Sequence, residues 1–372
     1  PDGVTPTAVT MAADAGAAEQ GTAGEPLDED AEVEGDDRPD PAEPGESATP
    51  DRCRSRSRRG APPGRIRRPP AVHSPGDALV TDPGSWRISP APFAEVRRLA
   101  AELGCSDILA QVLVRRGLGD PGVARAFLQP DFRVHNPYLM SGMTEARQRI
   151  DRALRCGEPM AVHGDYDADG ITATFLLVGV LQELGADVRW RLPNRFSEGY
   201  GVSAAAIDEL AESGVRLLIT VDCGINARDE VVRAKALGMD VIVTDHHELE
   251  GELPACTVVT PKLGSYPCRH LAGVGVAFKL AHALLEEPGE SLVELPLALR
   301  PYTDVVAVGT IADVVPLVEE NRVLTAVGLG RLRSAPRPGL AALLEVAGGR
   351  PGAVDAGAVG FRLGPRLNAA GR

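Results

Sequence analysis

The pattern of apolar positions divides the chain into a tail, a helical part and an alternating part. Residues 1–80 show no apolar periodicity and are rich in Pro, Gly, Ala, Asp, Glu and Arg. Such a segment buries too little apolar surface to offset the entropy lost on ordering, so we predict a disordered N-terminal tail. Apolar residues at helical spacing begin near Trp86, which predicts a helical N-terminal cap over 81–157. Its helices are expected at 92–103, 106–116, 120–128 and 144–156.

From residue 160 onward, short β-rich runs alternate with helical patterns. The expected strands are 160–163, 187–192, 216–221, 240–244 and 256–260, and the expected intervening helices are 171–185, 203–213 and 226–238. This alternation is typical of an α/β fold with a doubly wound, mainly parallel sheet. Ligands of such sheets bind beyond the carboxyl ends of the strands. The chain then becomes helical, with helices expected at 273–287, 300–315, 321–334 and 338–347.

The net charge belongs to the tail. The whole chain has a formal charge of −13, and residues 1–50 contain fourteen acidic residues against the single basic Arg38. An Arg-rich run at 52–68 follows, so the acidity is no argument against a nucleic-acid substrate. Six cysteines are too sparse for a disulfide framework and indicate a reduced, cytoplasmic protein. The sequence has neither a signal peptide nor an apolar stretch long enough to span a membrane.

The strand end after 160–163 carries the strongest chemical signal. The run HGDYDADG at 163–170 places one His and three Asp within seven residues, between an apolar strand and an apolar helix. Crowded carboxylates repel one another unless a cation neutralises them. Oxygen donors with one imidazole suit Mn²⁺ or Mg²⁺. A helix N-cap needs only one of these Asp residues, so we predict a metal site.

Three further motifs carry Asp or His at comparable positions. Asp222 in TVDCG follows the strand 216–221, where a simple N-cap is the alternative role. His246 and His247 in TDHHE follow the strand 240–244 and point to opposite sides of an extended segment. Asp313 in GTIADVVP lies in an apolar stretch, where a charge is costly unless it is paired or binds a ligand; an exposed turn before Pro316 is the alternative.

Together these motifs resemble the DHH phosphoesterase superfamily, and within it the RecJ family of single-stranded-DNA-specific exonucleases. The segments PNRFSEGYG at 193–201, GVGVAFK at 273–279 and RLGPRLNAAGR at 362–372 strengthen the resemblance, which covers about 86–372. It implies a catalytic DHH domain over 158–335 and, over 336–372, the start of a connection to a second lobe. Because the chain begins at Pro1 and ends at Arg372 within such a motif, we expect a fragment.

The resemblance implies roles for individual residues. His163 and Asp167 are expected to hold one metal ion, and Asp169 the other. Asp222 is expected to bridge both ions, with His246 and Asp313 completing the second site. Asp165 is expected to act as a supporting catalytic carboxylate. His247 is expected to contact the substrate phosphate or to act as an acid.

The implied activity is 5′→3′ exonucleolytic hydrolysis of single-stranded DNA to 5′-mononucleotides by water activated at two divalent cations, Mn²⁺ or Mg²⁺. DNA repair and recombination, with single-stranded-DNA-binding protein or a helicase as partner, are implied by the family alone. A chain without the second lobe is expected to have reduced activity. Two alternatives stay open: a DHH phosphodiesterase acting on cyclic dinucleotides or short oligonucleotides, and a non-catalytic DHH scaffold.

Four residues are candidates for substrate binding. Arg195 can grip a terminal 5′-phosphate through bidentate hydrogen bonds, and Tyr200 can stack on a base. An ordinary surface charge and a packing residue are the respective alternatives. Arg366 and Asn368 are weaker candidates for contacts to the DNA backbone. The glycines of GVGVAFK either cradle a phosphate at a helix N-terminus or allow close packing on the sheet.

Overall fold

The helical cap is built around two separate sets of contacts. The computed structural model describes residues 90–130, 133–286 and 294–370. Helices α1 (Phe93–Leu103), α2 (Asp107–Arg115) and α3 (Pro121–Leu128) share a small core of their own, which includes Leu99, Ala110 and Leu113. Helix α4 (Met143–Cys156) instead buries Met143 and Ile150 in the main core with the sheet. The predicted tail 1–80 lies outside the described residues.

A five-stranded parallel sheet follows the cap. Its strands are β1 (Met160–His163), β2 (Val188–Arg191), β3 (Leu217–Val221), β4 (Asp240–Thr244) and β5 (Thr257–Val259). Their order across the sheet is β2-β1-β3-β4-β5, and all neighbouring pairs are parallel. The register aligns His163 with Thr220, and Val221 with Thr244. The carboxyl ends of β1, β3 and β4, which precede the three main motifs, therefore lie side by side.

Helices cover both faces of the sheet, because successive side chains of a strand point to opposite faces. On one face, Val162, Ile219 and Ile242 belong to a core shared with α5 (Ala168–Glu183), α8 (Gly273–Leu285) and α9 (Thr303–Ala312). On the other face, Ala161 and Leu218 pack with α6 (Ala204–Glu212) and α7 (Arg228–Ala236). The predicted α/β fold with a doubly wound sheet is confirmed.

The C-terminal part is helical, as predicted, and ends in a segment that the periodicity did not indicate. A 3₁₀-helix (Leu297–Tyr302) leads into α9, and α10 (Glu319–Ser334) and α11 (Pro338–Val346) follow. Beyond them lie a 3₁₀ turn (Pro351–Ala353), α12 (Ala356–Ala358), one stretch of π-helix (Val359–Leu363) and α13 (Gly364–Ala370). Within the described ranges, none of the helices is both long and apolar enough to cross a membrane.

Candidate metal centre

Three groups of metal-binding side chains converge at the carboxyl edge of the sheet. In each group the candidate ligand atoms lie within 4.8 Å of one another. The groups are Asp165, Asp167 and Asp222; Asp169, His246 and Asp313; and Asp222, His246 and His247. Asp222 and His246 each belong to two groups, so the three form one continuous site. The site draws on residues after β1, β3 and β4 and on the end of α9.

Several buried polar atoms of this site have no hydrogen-bond partner. They are Asp165 Oδ1, Asp222 Oδ1, His246 Nε2 and Asp313 Oδ2. His246 Nε2 lies 3.1 Å from Asp222 Oδ1, 3.7 Å from Asp313 Oδ2 and 3.9 Å from Asp169 Oδ2. A buried polar atom without a partner is costly, and here the atoms are those that bind divalent cations. The donor set therefore fits the two divalent cations expected from the sequence.

Burial opposes the charged form of the site's carboxylates. It raises the pKa of Asp165 and of Asp313 to about 6 in each case. It also raises the pKa of Asp169 and Asp222 well above the usual value, with further increases from neighbouring carboxylates. Burial lowers the pKa of His246 to about 4, which leaves its ring neutral and free to bind a metal. A bound cation would restore the ionised carboxylates.

The N-terminus of α8 holds Asp169 in place. The backbone N–H groups of Gly273 and Val274 donate to the two carboxylate oxygens of Asp169 at 2.6 and 2.9 Å. A Cβ at residue 273 would collide with the side chain of Asp222, so only glycine fits there. The GVGVAFK segment therefore approaches the metal centre closely, and its helix N-terminus binds a carboxylate of the protein itself.

Asp222 occupies a strained position at the end of β3. Its φ is 60°, in the left-handed region that non-glycine residues seldom adopt. Backbone strain of this kind persists where the surrounding structure fixes it, often at functional sites. Here Asp222 N–H donates to Thr244 O, and the side chain is buried against Gly273. In this position the carboxylate belongs to two of the three ligand groups.

The start of α5 positions Asp167. One oxygen, Oδ1, caps the helix by accepting from Asp169 N–H and Gly170 N–H at 2.9 and 3.0 Å. The second carboxylate oxygen is left for a cation. The remaining N–H of the first turn, that of Ala168, donates to Asn368 Oδ1 at 2.7 Å. Asn368, a candidate for DNA contact, thus ties α13 to the loop that carries Asp167 and Asp169.

His163 and Asp165 have different neighbours in the structure. His163 is buried and lies outside the three ligand groups; its Nε2 is 3.3 Å from Gly201 O, and its Nδ1 is buried without a hydrogen-bond partner. Burial lowers the pKa of His163 to about 4, so its ring is neutral. Asp165, expected as a supporting carboxylate, lies with Asp167 and Asp222 in one of the three ligand groups.

The two adjacent histidines differ in environment. His247 Nδ1 lies 2.8 Å from Asp245 Oδ1, and this hydrogen bond raises the pKa of His247. Asp245 is buried and also accepts from the N–H groups of Ile225, His246 and His247. Asp245 had no predicted role. Its position beside two histidines was the available signal, because a histidine used in chemistry is commonly oriented by a carboxylate.

Known proteins resemble this chain over the residues that form the metal centre. Residues 159–310 match the model of the DHH family, N-terminal domain. Over 291 residues the chain is 45% identical to the single-stranded-DNA-specific exonuclease RecJ of Bacillus subtilis, covering 77% of this chain and 36% of that protein. It is 41% identical to RecJ of Thermus thermophilus over 293 residues, covering 77% and 41%. Residues 159–310 of this chain are a DHH domain of the RecJ type.

Solved structures agree with the sequence comparison. The Mn²⁺ complex of Thermus thermophilus RecJ matches with a TM-score of 0.65 and 37% identity, covering 76% of this chain and 40% of that one. The Mg²⁺ complex of the same protein matches with a TM-score of 0.56 and 35% identity, covering 76% and 36%. The chain therefore spans less than half the length of these relatives.

The candidate substrate residues differ in how close they lie to the metal centre. Arg195 is exposed and its guanidinium stacks on Tyr166, 4.8 Å from the ring centroid; Tyr166 lies between two candidate ligands. Tyr200 is half exposed, and its hydroxyl lies 3.2 Å from His247 Nδ1. Arg366 of α13 donates to Arg362 O in the preceding π-helix, and no hydrogen bond or ion pair joins it to the ligand groups among the described residues. Arg195 and Tyr200 are thus placed at the site, and Arg366 is not.

Proposed function

We propose that the chain hydrolyses phosphodiester bonds of single-stranded DNA from the 5′ end, releasing 5′-mononucleotides. The observation that carries the proposal is the set of three ligand groups joined through Asp222 and His246, with buried donor atoms that lack partners. The names of the relatives support the substrate class, since they are single-stranded-DNA-specific exonucleases. The Mn²⁺ and Mg²⁺ in related structures support the choice of cations.

The ligand groups suggest how two cations are held. We assign Asp165 and Asp167 to one cation, Asp169, His246 and Asp313 to the other, and Asp222 to both. When bound, such cations lower the pKa of a water molecule and stabilise charge on the oxygens of a phosphodiester undergoing displacement. His163, which the family resemblance placed among the ligands, is then a buried residue that supports the loop through Gly201.

The chain's own side chains orient and protonate the substrate. Asp245 fixes the ring of His247 and stabilises its protonated form, which suits it to contact a phosphoryl oxygen or to protonate the leaving oxygen. Stacking on Tyr166 holds the Arg195 guanidinium beside the ligands, where it can bind a 5′-phosphate. The exposed ring of Tyr200 is available to a terminal base. A single-stranded-DNA-binding protein or a helicase as partner, in repair and recombination, is part of the same proposal.

The test is digestion of a 3′-labelled, 5′-phosphorylated single strand with Mn²⁺, Mg²⁺ or EDTA. We expect 5′-mononucleotides with either metal, little digestion of a blunt duplex, and loss of activity with EDTA. Asp222→Asn and Asp169→Asn should remove activity, while Asp208→Asn on α6, away from the ligand groups, should not. The rate and processivity also test the expected reduced activity.

Each alternative function has its own outcome in this assay. Hydrolysis of a cyclic dinucleotide without digestion of the single strand would favour a small-substrate phosphodiesterase. Binding of Mn²⁺ with no hydrolysis of either substrate would favour a non-catalytic scaffold. Either result would contradict the proposed exonuclease.

A further inference from the structure

A cavity of about 410 Å³ opens directly beside the metal centre. Its lining includes His246, His247 and Asp313 from the ligand groups. The same lining includes Lys262 and Arg269, which lie on the segment between β5 and α8. The proposed function gives the side chains of Lys262 and Arg269 no role. Their place in one cavity with the metal ligands puts positive charge next to the position of the scissile phosphate.

The guanidinium of Arg269 is oriented without being neutralised. It donates to the backbone carbonyls of Lys262 and Gly264, and no ion pair of Arg269 occurs in the described ranges. Backbone carbonyls fix the direction of an arginine but leave its charge intact. A guanidinium in that state can bind phosphate oxygens through its remaining N–H groups.

Lys262 has a partner that an incoming anion can replace. Its ammonium lies 2.6 Å from Glu248 Oε1, and the side chain of Glu248 is 81% exposed. Ion pairs at such exposed positions are weak and are screened by salt. Glu248 directly follows His247, so this pair also lies at the edge of the metal centre.

We propose that this cavity binds a backbone phosphate of the substrate strand adjacent to the scissile one, through Arg269 and Lys262. The proposal rests on the proposed function. A volume of this size accommodates one nucleotide unit. Contacts to phosphate position the strand and carry no base preference, as digestion of arbitrary sequences requires. Glu248 competes with the strand for Lys262.

The test compares Arg269→Gln and Lys262→Gln with the control Arg152→Gln. Arg152 is an exposed arginine on α4 that pairs with Asp240 at the amino end of β4, the opposite edge of the sheet. The substrate is a 3′-labelled, 5′-phosphorylated dT12, digested with Mn²⁺ over a range of NaCl concentrations. KM should rise about threefold to tenfold in each cavity variant, and the slope of log(1/KM) against log[NaCl] should flatten by about 0.7 per lost phosphate contact. The rate constant kcat should stay within about twofold of wild type.

A third variant is expected to change KM in the opposite direction. Glu248→Gln removes the competing carboxylate, so KM for dT12 should fall. The concentration of Mn²⁺ that gives half-maximal thermal stabilisation should be unchanged in Arg269→Gln and Lys262→Gln, which separates a lost strand contact from damage to the metal centre. Inorganic phosphate, added as a competitor, tests a free anion as the occupant.

The outcomes separate this inference from the proposed function. If wild type digests dT12 and the two cavity variants match Arg152→Gln in KM and salt slope, the phosphate site is overturned and the exonuclease stands. If phosphate inhibits wild type but not Arg269→Gln while KM for dT12 is unaffected, the cavity is an anion site unrelated to the strand. If wild type digests no single strand, both proposals are wrong.

Discussion

Asp222 combines three properties that together suit a ligand shared by two cations. It is buried, it belongs to two ligand groups, and its φ of 60° is strained. Burial and the neighbouring carboxylates Asp169 and Asp167 raise its pKa well above the usual value. Without a cation the side chain is therefore a cost to the fold, and with one it becomes a source of stability.

Asp222→Asn should consequently change metal-free and metal-bound protein in opposite directions. At pH 8 the metal-free variant should be at least as stable as wild type, because a buried carboxylate in a crowd of others has been removed. Saturating Mn²⁺, about 100-fold above its Kd, should stabilise wild type by about 2.7 kcal/mol for each bound cation and the variant by far less. Thermal unfolding with and without Mn²⁺ measures both effects. Equal stabilisation of the two proteins by Mn²⁺ would contradict the bridging role.

The pH dependence of metal binding follows from Asp165 and Asp313. The pKa of each is raised to about 6 from 3.8, so each retains a proton under mildly acidic conditions. A proton must leave before either carboxylate binds a cation, so Mn²⁺ affinity should rise as the pH increases through 6. Titration calorimetry at pH 6 in two buffers of different ionisation enthalpy should detect proton release. An affinity independent of pH between 5 and 7.5 would be inconsistent with these ligands.

Without metal, the same carboxylates make stability fall as pH rises. Between pH 3.8 and about 6 the folded protein binds more protons than the unfolded chain at Asp165 and Asp313. These two carboxylates therefore contribute a decrease in the free energy of unfolding with rising pH across that window, against the increase contributed by His163 and His246, whose pKa is lowered to about 4. Saturating Mn²⁺ should reverse the trend, because the cation holds the ionised forms. Urea unfolding at pH 4.5 and pH 7, with EDTA or Mn²⁺, compares the two slopes.

At the scale of elements, α8 links the sheet to the metal centre through its first turn. The helix was predicted from its apolar pattern, and two uses of its glycines were left open. The structure favours the close approach, with the N–H groups of Gly273 and Val274 on Asp169 and no room for a Cβ beside Asp222. The apolar pattern predicted helix α8, but it could not predict the contact with Asp169, which lies 104 residues away in the sequence.

Gly273→Ala should therefore damage the metal centre through the helix. The added methyl must displace either α8 or the side chain of Asp222. We expect a loss of about 1–3 kcal/mol in stability, typical of overpacking, together with weaker Mn²⁺ binding. Gly330→Ala in α10 is the control, because its Cβ would meet no atom within 4 Å. That variant should be neutral or slightly stabilising, with unchanged Mn²⁺ binding. Unchanged Mn²⁺ binding in Gly273→Ala would contradict the coupling.

The last C-terminal elements were not predicted from the sequence. Residues 351–370 contain short turns and a π-helix, which have no 3.6-residue periodicity to detect. Asn368 was a weaker candidate for a contact to the DNA backbone. Its Oδ1 accepts a hydrogen bond from Ala168 N–H, which lies 200 residues away in the sequence, so the contact is visible only in the tertiary structure.

At the scale of the whole molecule, a buried ion pair connects the cap region to the helices behind the sheet. Lys279 of α8 and Glu320 of α10 lie 2.9 Å apart and are fully buried. Lys279 also donates to His135 O, and Glu320 accepts from His135 N–H and from the Tyr266 hydroxyl. Burial lowers the pKa of Lys279 despite the nearby carboxylate. The pair thereby joins α8, α10 and the segment before α4.

Removing one partner of this pair should be far worse than removing both. Lys279→Met leaves Glu320 buried without its cation, and we expect a loss of about 3–5 kcal/mol in the free energy of unfolding. The double variant Lys279→Met, Glu320→Leu should recover much of that loss. Denaturant unfolding of the two single variants, the double variant and wild type gives the coupling energy. Additive effects in this cycle would contradict a coupled pair.

The sequence by itself determined the alternation of strands and helices, the parallel sheet and the placing of the motifs at strand ends. These follow from local patterns: apolar periodicity, turn residues and the rule that parallel strands share a carboxyl edge. Tertiary structure alone decided that Asp165 faces the ligand groups while His163 faces Gly201, that α8 holds Asp169, and that Asn368 caps α5. Each of these depends on the direction of one side chain relative to a residue distant in sequence, and no local pattern encodes that direction.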